Sequence, residues 1–278
     1  MSNITKEAVM DLREKTGAGL IDCKRALAET NGDLEEAVSI LRKKGVASAA
    51  KKAGRDASEG IIANAVAADK QKGILVEVNC ETDFVAKNDD FVAFSNEVAN
   101  SLLSNPDEDL EVRRTEQVAK IGENIKISRS QTISVENTGL VESYVHTGAK
   151  VAVMISIECS GQSNISSNEN VISLAKDLCM HIAATSPVCV SREDVPESLL
   201  SKEKDIAMAQ AEGKPPQAIE KIVTGKLEKY FSTSCLLEQP FVKDPDSSVK
   251  ELLAKVSSEI EGELSVGNFL RFQVGESS

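Results

Sequence analysis

Two histidines, His146 and His181, and six cysteines are the side chains of this 278-residue chain best suited to covalent or metal chemistry, and their spacing favours neither. The cysteines stand at Cys23, Cys80, Cys159, Cys179, Cys189 and Cys235, with no C-x-x-C and no histidine at zinc-ligand spacing. They read as buried thiols in a reducing cytoplasm. His146, in SYVHTGAK, sits where a strand reaches its turn and has no cysteine or carboxylate at nucleophile-activating spacing. His181 shares a predicted helix with Leu174 and Leu178, which suits a structural role. No G-x-S-x-G, P-loop or H-E-x-x-H occurs, and no acidic pair stands out as general acid and base. The expectation is a protein without enzymatic chemistry, cofactor or metal.

One turn is more informative. The run Cys80-Glu81-Thr82-Asp83-Phe84-Val85-Ala86-Lys87-Asn88 places Phe84 and Val85 in an otherwise polar connection after a strand. Two readings are open: Asp83 caps a short helical turn with Phe84 packed underneath, or Thr82 to Val85 presents an apolar wedge beside an anion. A second turn, Thr16-Gly17-Ala18-Gly19, is nearly free of side chain and leads into Leu20 and Ile21. It serves either as a tight helix connection or as a docking loop.

The elements that must position these turns follow from periodicity. The N-terminal segment reads as three helices: Thr5 capping Lys6 to Lys15, Leu20 to Glu29, and Asp33 capping Leu34 to Lys44. Val9, Leu12, Leu27, Leu34, Val38 and Leu41 give it a small core, so residues 1–45 form a helical module. Residues 46–59, rich in Ala, Gly, Ser and Lys, read as a linker. Beyond it lies an internal repeat. Gly60-Ile61-Ile62 and the strand ending at Cys80 are answered 79 positions later by Gly139-Leu140-Val141 and the strand ending at Cys159. Each copy is followed by an amphipathic helix, Asp90 to Ser104 and Glu169 to Ala184. Ile125 to Val135 and Phe269 to Val274 offer each sheet a third strand, and Cys235 to Val242 is a further β-rich run. The fold class is therefore α+β: two antiparallel-sheet and helix subdomains, residues 60–138 and residues 139–190 with 231–278. The second is interrupted at 191–230 by an antiparallel helical hairpin, broken at Gly213-Lys214-Pro215-Pro216.

A net charge of −12 disfavours direct nucleic-acid binding, and no apolar run approaches the roughly 20 residues of a membrane span. Met1 to Asp11 lack the features of a secretory signal or transit peptide, which predicts a cytoplasmic protein.

Leu12-Arg13 through Thr16-Gly17 to Lys24-Arg25-Ala26-Leu27, and Glu77-Val78-Asn79-Cys80-Glu81-Thr82-Asp83-Phe84-Val85-Ala86-Lys87, resemble the two signature stretches of the elongation factor Ts family, the guanine nucleotide exchange factors of elongation factor Tu. The likeness extends to the His146 turn, to DIAMAQAEGKPPQ in the hairpin and to QPFVKDP, so it spans essentially the whole chain. It implies a bacterial-type cytoplasmic factor. Its helical module would be ubiquitin-associated-like and dock through Leu12 and the turn Gly17, Ala18, Gly19 and Leu20. Its Thr82 to Val85 turn would send Asp83 and Phe84 in near the partner's Mg²⁺ and phosphate site, with His146 close to Phe84, and the hairpin would be a coiled coil. The resemblance leaves open a one-to-one complex, a dimer and a two-to-two assembly. Some members carry a further C-terminal helical module, whereas this sequence ends at Ser278 just after its last strand, so any contact made by that module is not expected here. From other function classes, a scaffold or chaperone-like binder of a translation protein stays open, as does a hydrolase hidden among the acidic residues.

Overall fold

The computed structural model describes residues 4–161, 165–260 and 262–276. Three helices come first: α1 (Lys6–Thr16), α2 (Leu20–Glu29) and α3 (Leu34–Lys52). The Thr5 hydroxyl accepts from the Ala8 N–H, and the Asp33 carboxylate accepts from the Glu36 N–H. Both caps satisfy N–H groups that a helix start leaves orphaned. Leu12, Cys23, Ala26, Leu27, Ala37 and Leu41 form their core.

α3 corrects the linker expectation, because it continues to Lys52 through the Ala- and Gly-rich stretch. Gly45 and Ala49 are buried, and a Cβ at Gly45 would lie 3.4 Å from the Ala119 Cβ of α6 (Glu111–Ile121). Small residues here permit close helix approach rather than chain flexibility.

β1 (Glu59–Val66), β2 (Lys72–Cys80) and β3 (Lys126–Ser134) form one antiparallel sheet in that order. Between β2 and β3 run the one-turn helix α4 (Asp83–Ala86), α5 (Asp89–Ser104) and α6. The second sheet orders β4 (Gly139–Val145), β5 (Val151–Ser160) and β8 (Glu263–Gln273), again antiparallel. α7 (Glu169–Thr185) follows β5. Phe91, Phe94, Val98 and Leu102 of α5 cover one face of the first sheet. Val171, Leu174, Leu178 and Ile182 of α7 cover one face of the second. The remaining faces meet each other through Ile62, Leu75, Val141, Ala152, Met154 and Phe272. The order of layers is helix, sheet, sheet, helix.

The repeat reappears in the hydrogen bonds. The Ile62 N–H donates to the Ala149 carbonyl at 2.7 Å, and the Val141 N–H donates to the Lys70 carbonyl at 2.7 Å. Donors and acceptors here are partners in the repeat, as are Asn64 and Ser143, 79 positions apart and bonded side chain to side chain at 2.8 Å. Lys70 and Ala149 both take left-handed backbone, with φ of 57° and 54°. Each central strand carries a bulge at the same repeat position, Glu77/Val78 and Ser156/Ile157.

The hairpin is α8 (Glu197–Gln210) and α9 (Pro216–Ser234), with Pro216 opening the second arm. At its base Arg192 pairs with Glu228 and Glu238 and stacks on Phe231. The β-rich expectation for Cys235 to Val242 is corrected: Cys235 makes a single parallel bridge to Cys189, Leu236–Glu238 is a 3₁₀ turn, and β6 (Pro240–Phe241) pairs with β7 (Asp244–Ser248). α10 (Val249–Glu259) then leads into β8, which begins six residues before the expected Phe269. Gly267 lies where a side chain would strike Ser156 and Glu158 at the bulge.

All six cysteines are free and buried. His181 is fully buried: the Val242 N–H donates to its Nδ1 at 3.2 Å, and its Nε2 faces the Gln239 Oε1 at 2.8 Å. The neutral Nε2–H tautomer satisfies both contacts, while a second proton on Nδ1 would face a donor. Burial lowers the His181 pKa, with the Gln239 bond acting in the opposite direction. The unfolded chain takes up this proton around pH 6.5 and the folded chain does not, so stability is full above that pH and is lost as pH falls toward the lower folded value. As pH falls from about 7.5 to 5.5 the wild type should lose more stability than His181→Gln in urea titrations. Equal losses would show that the imidazole titrates normally.

Candidate functional site

The apolar turn lies between β2 and α5 and is a single helical turn, α4. Thr82, not Asp83, is its cap: the Thr82 hydroxyl accepts from the Val85 N–H at 3.3 Å. With about 100° between successive residues, α4 cannot turn Phe84, Val85 and Ala86 all inward. Ala86 is buried and Val85 packs on the helix–sheet core, while Phe84 is 81% exposed. The packed-Phe84 reading is thereby excluded. An exposed aromatic ring forgoes about 1.5–3 kcal/mol of burial, which a partner can supply.

Asp83 stands beside the ring and bonds Lys87 at 2.8 Å. That hydrogen bond, more than the charge of Lys87 itself, holds the Asp83 carboxyl below its ordinary range; Lys150 adds a smaller pull in the same direction. The tip therefore carries an anion at neutral pH.

The turn is clasped from behind by a residue the sequence did not single out. Glu123, directly after the left-handed Gly122 that ends α6, accepts from the Thr82 hydroxyl at 2.7 Å. Its other oxygen accepts the N–H groups of Glu81 and Thr82, each at 3.0 Å. The Glu81 carboxylate returns the contact by accepting the Asn124 N–H at 2.6 Å. Nothing local in Ile-Gly-Glu-Asn announces this, because its partners lie 41 and 42 positions away.

His146 is exposed on the turn between β4 and β5, and its Nδ1 meets the Tyr144 hydroxyl at 3.0 Å. That turn lies along the same edge as α4. Ala149 packs on the cluster that includes Val85, and Lys150 pairs with Glu59, which sits opposite Cys80 across the β1–β2 register. The ring contact recorded for His146 is with Tyr144, not Phe84.

The second turn is formed by Gly17, with φ of 64°, then Ala18 and Gly19, and it packs against Lys120 of α6. Leu20 and Ile21 beyond it are 46% and 74% exposed. Leu12 is corrected: it is fully buried at the centre of the three-helix core, so it supports this turn and is unable to touch a partner. α6 thus connects the two candidate surfaces, meeting the Gly17 turn through Lys120 and leading directly into Glu123, which holds the Thr82 turn.

No helix among the described residues is long and apolar enough to cross a membrane, and no group of three or more His, Cys, Asp or Glu side chains among them is placed to hold a metal. A family model described as Elongation factor TS matches residues 81–276. Over 98% of its length the chain is 47% identical to the elongation factor Ts of Clostridium perfringens strain SM101, covering 93% of that protein. At the same coverages it is 42% identical to the elongation factor Ts of Clostridium botulinum strain Alaska E43. That of Nautilia profundicola is 42% identical across 99% of this chain and 94% of its own length.

Proposed function

The chain belongs to the elongation factor Ts family, and from that membership we propose that it binds elongation factor Tu carrying GDP and promotes GDP release and exchange for GTP by inserting the Asp83–Phe84 turn near the Mg²⁺ and phosphate site. It performs no covalent chemistry, needs no cofactor, and acts in the cytoplasm without nucleic acid or membrane. The observation that carries this reading is Phe84, an exposed ring on a turn clasped at its base by Glu123. Mg²⁺ demands near-ideal octahedral geometry, and phosphates depend on aligned backbone N–H groups at a helix start. A displacement of about an ångström damages both.

Magnitudes require more than the wedge. Burying one Phe contributes about 1.5–3 kcal/mol, against roughly 5.5 kcal/mol for a ten-thousandfold shift between states. The remainder is assigned to docking by the three-helix module, which we take as ubiquitin-associated-like, through Gly17, Ala18, Gly19, Leu20 and Ile21. The first sheet and its helices, 60–138, present the wedge. The second, 139–190 with 231–278, brings His146 to the same face and carries the coiled-coil hairpin. Linkage makes the effect mutual: GDP weakens binding of this protein by the factor by which this protein weakens GDP.

The test is release of a fluorescent GDP analogue from elongation factor Tu. Addition of the protein should accelerate it, and binding without acceleration would leave only a scaffold. Leu20→Ser combined with Ile21→Ser should raise the half-saturating concentration about tenfold, with little change in the saturating rate. An unchanged half-saturating concentration would remove this surface from the interface.

A further inference from the structure

We propose that Glu123 is a positioning residue for nucleotide exchange, fixing the direction in which Phe84 leaves the protein without itself meeting the partner; the inference rests on the wedge reading above. A helix of one turn does not hold itself, since nucleation fixes several residues for a single hydrogen bond. α4 therefore takes its geometry from outside: Val85 and Ala86 pack on the helix–sheet core, and Glu123 holds its root.

The contacts form a directed chain. The Val85 N–H donates to the Thr82 hydroxyl, and that hydroxyl donates in turn to Glu123 Oε1. The other carboxylate oxygen takes two backbone N–H groups, those of Glu81 and Thr82. One oxygen accepts two N–H groups and the other accepts the Thr82 hydroxyl hydrogen, three donated bonds that a carboxylate takes together. A carboxamide keeps an oxygen for the two N–H groups but meets the Thr82 hydroxyl with an NH₂, so the hydroxyl must turn and its charge-assisted bond is lost.

Glu123 is itself held. Its neighbour Asn124 donates its backbone N–H to Glu81 and its side-chain amide to the Arg55 and Ala53 carbonyls, at 2.9 and 3.4 Å. The loop after α6 and the loop after β2 are thus crossed, each gripping the other's backbone through a glutamate. The grip is on Glu81 and Thr82 at the root of α4, whereas Phe84 is exposed at its tip. α6, which meets the Gly17 turn through Lys120, ends at this same loop.

Stopped-flow release of fluorescent GDP from elongation factor Tu separates this role from simple stability, using Glu123→Gln, Phe84→Ala and the double variant. Glu123→Gln should lower the saturating release rate about tenfold, the loss of a hydrogen bond to a charged group, with the half-saturating concentration changed less than about twofold. In the Phe84→Ala background the same substitution should do nothing further, since both changes act through one element. Glu123→Asp, which keeps the charge, should recover part of the rate. An effect of Glu123→Gln that persists at full size without Phe84, or that falls on the half-saturating concentration, overturns the positioning role. A neutral Glu123→Gln beside a slow Phe84→Ala does so too, whereas a neutral Phe84→Ala overturns the wedge reading. Should thermal unfolding find Glu123→Gln unfolded, Thr82→Val, which removes the hydroxyl link to Glu123 together with the cap on Val85, is held to the same pattern.

Discussion

Phe84→Ala is expected to slow protein-stimulated GDP release about ten- to hundredfold at saturation while leaving urea unfolding unchanged within about 0.5 kcal/mol. The two halves of that result have separate causes. The ring is 81% exposed and makes no part of the helix–sheet core, so truncating it removes little from the folded state. The turn beneath it keeps its cap and its clasp, because Thr82, Val85 and Glu123 bond through groups that the substitution leaves alone. In the complex, the ring's burial of about 1.5–3 kcal/mol corresponds to the expected range of rates. Reciprocity adds an equilibrium test: the part of Phe84's effect that weakens GDP affinity must appear, by the same factor, in how far GDP weakens binding of this protein. Titrations of the variant against the partner with and without GDP should therefore converge, and a variant with wild-type release would remove Phe84 from the mechanism.

The oddness of this turn was legible in sequence, and its direction was not. Asp-Phe-Val-Ala fits a one-turn helix in either phase, with Phe84 inside or Val85 inside. The phase is tied to Thr82 as the cap and to Glu123, whose bonds to Glu81 and Thr82 span 42 and 41 positions. The repeat was legible because Ile, Leu and Val recur at matching positions in both copies. Its reciprocal backbone bonds, Ile62 to Ala149 and Val141 to Lys70, were not, since backbone pairing between distant turns leaves no trace in side-chain type. α3 continues beyond Lys44, against the linker expectation, for a definite reason. Ala and Gly serve both flexible linkers and tight helix contacts, and only the presence of α6 against Gly45 distinguishes the two. The early part of β8, before Phe269, holds Gly267 in the bulge of its pairing with β5, a role set by the neighbouring strand rather than by local residue type.

The repeat supplies the other large effect. Gly60 and Gly139 are partners in the two copies, and each faces the carbonyl at the bulge of the neighbouring strand. A Cβ on Gly60 would lie 2.2 Å from the Val78 oxygen and 2.7 Å from the Asn79 Cα, at a φ of 148°; one on Gly139 would lie 2.7 Å from the Ile157 oxygen. Neither obstacle is a side chain able to rotate away, so backbone must move. Gly60→Ala should cost about 3–5 kcal/mol in urea unfolding and Gly139→Ala about 2–4 kcal/mol. A loss below about 1 kcal/mol at Gly60 would mean that the strands separate freely there. The functional outcomes should diverge where the stability outcomes agree. Movement at Val78 and Asn79 is passed along β2 to Glu81 and Thr82, the residues Glu123 holds, so Gly60→Ala should slow GDP release even when rates are normalised to the folded fraction. Movement at Ile157 lies in the other sheet and leads away from α4, so Gly139→Ala should retain its normalised rate. Equal losses in both would mean that exchange tracks overall rigidity, and loss at Gly60 alone would mean that it tracks the position of one turn.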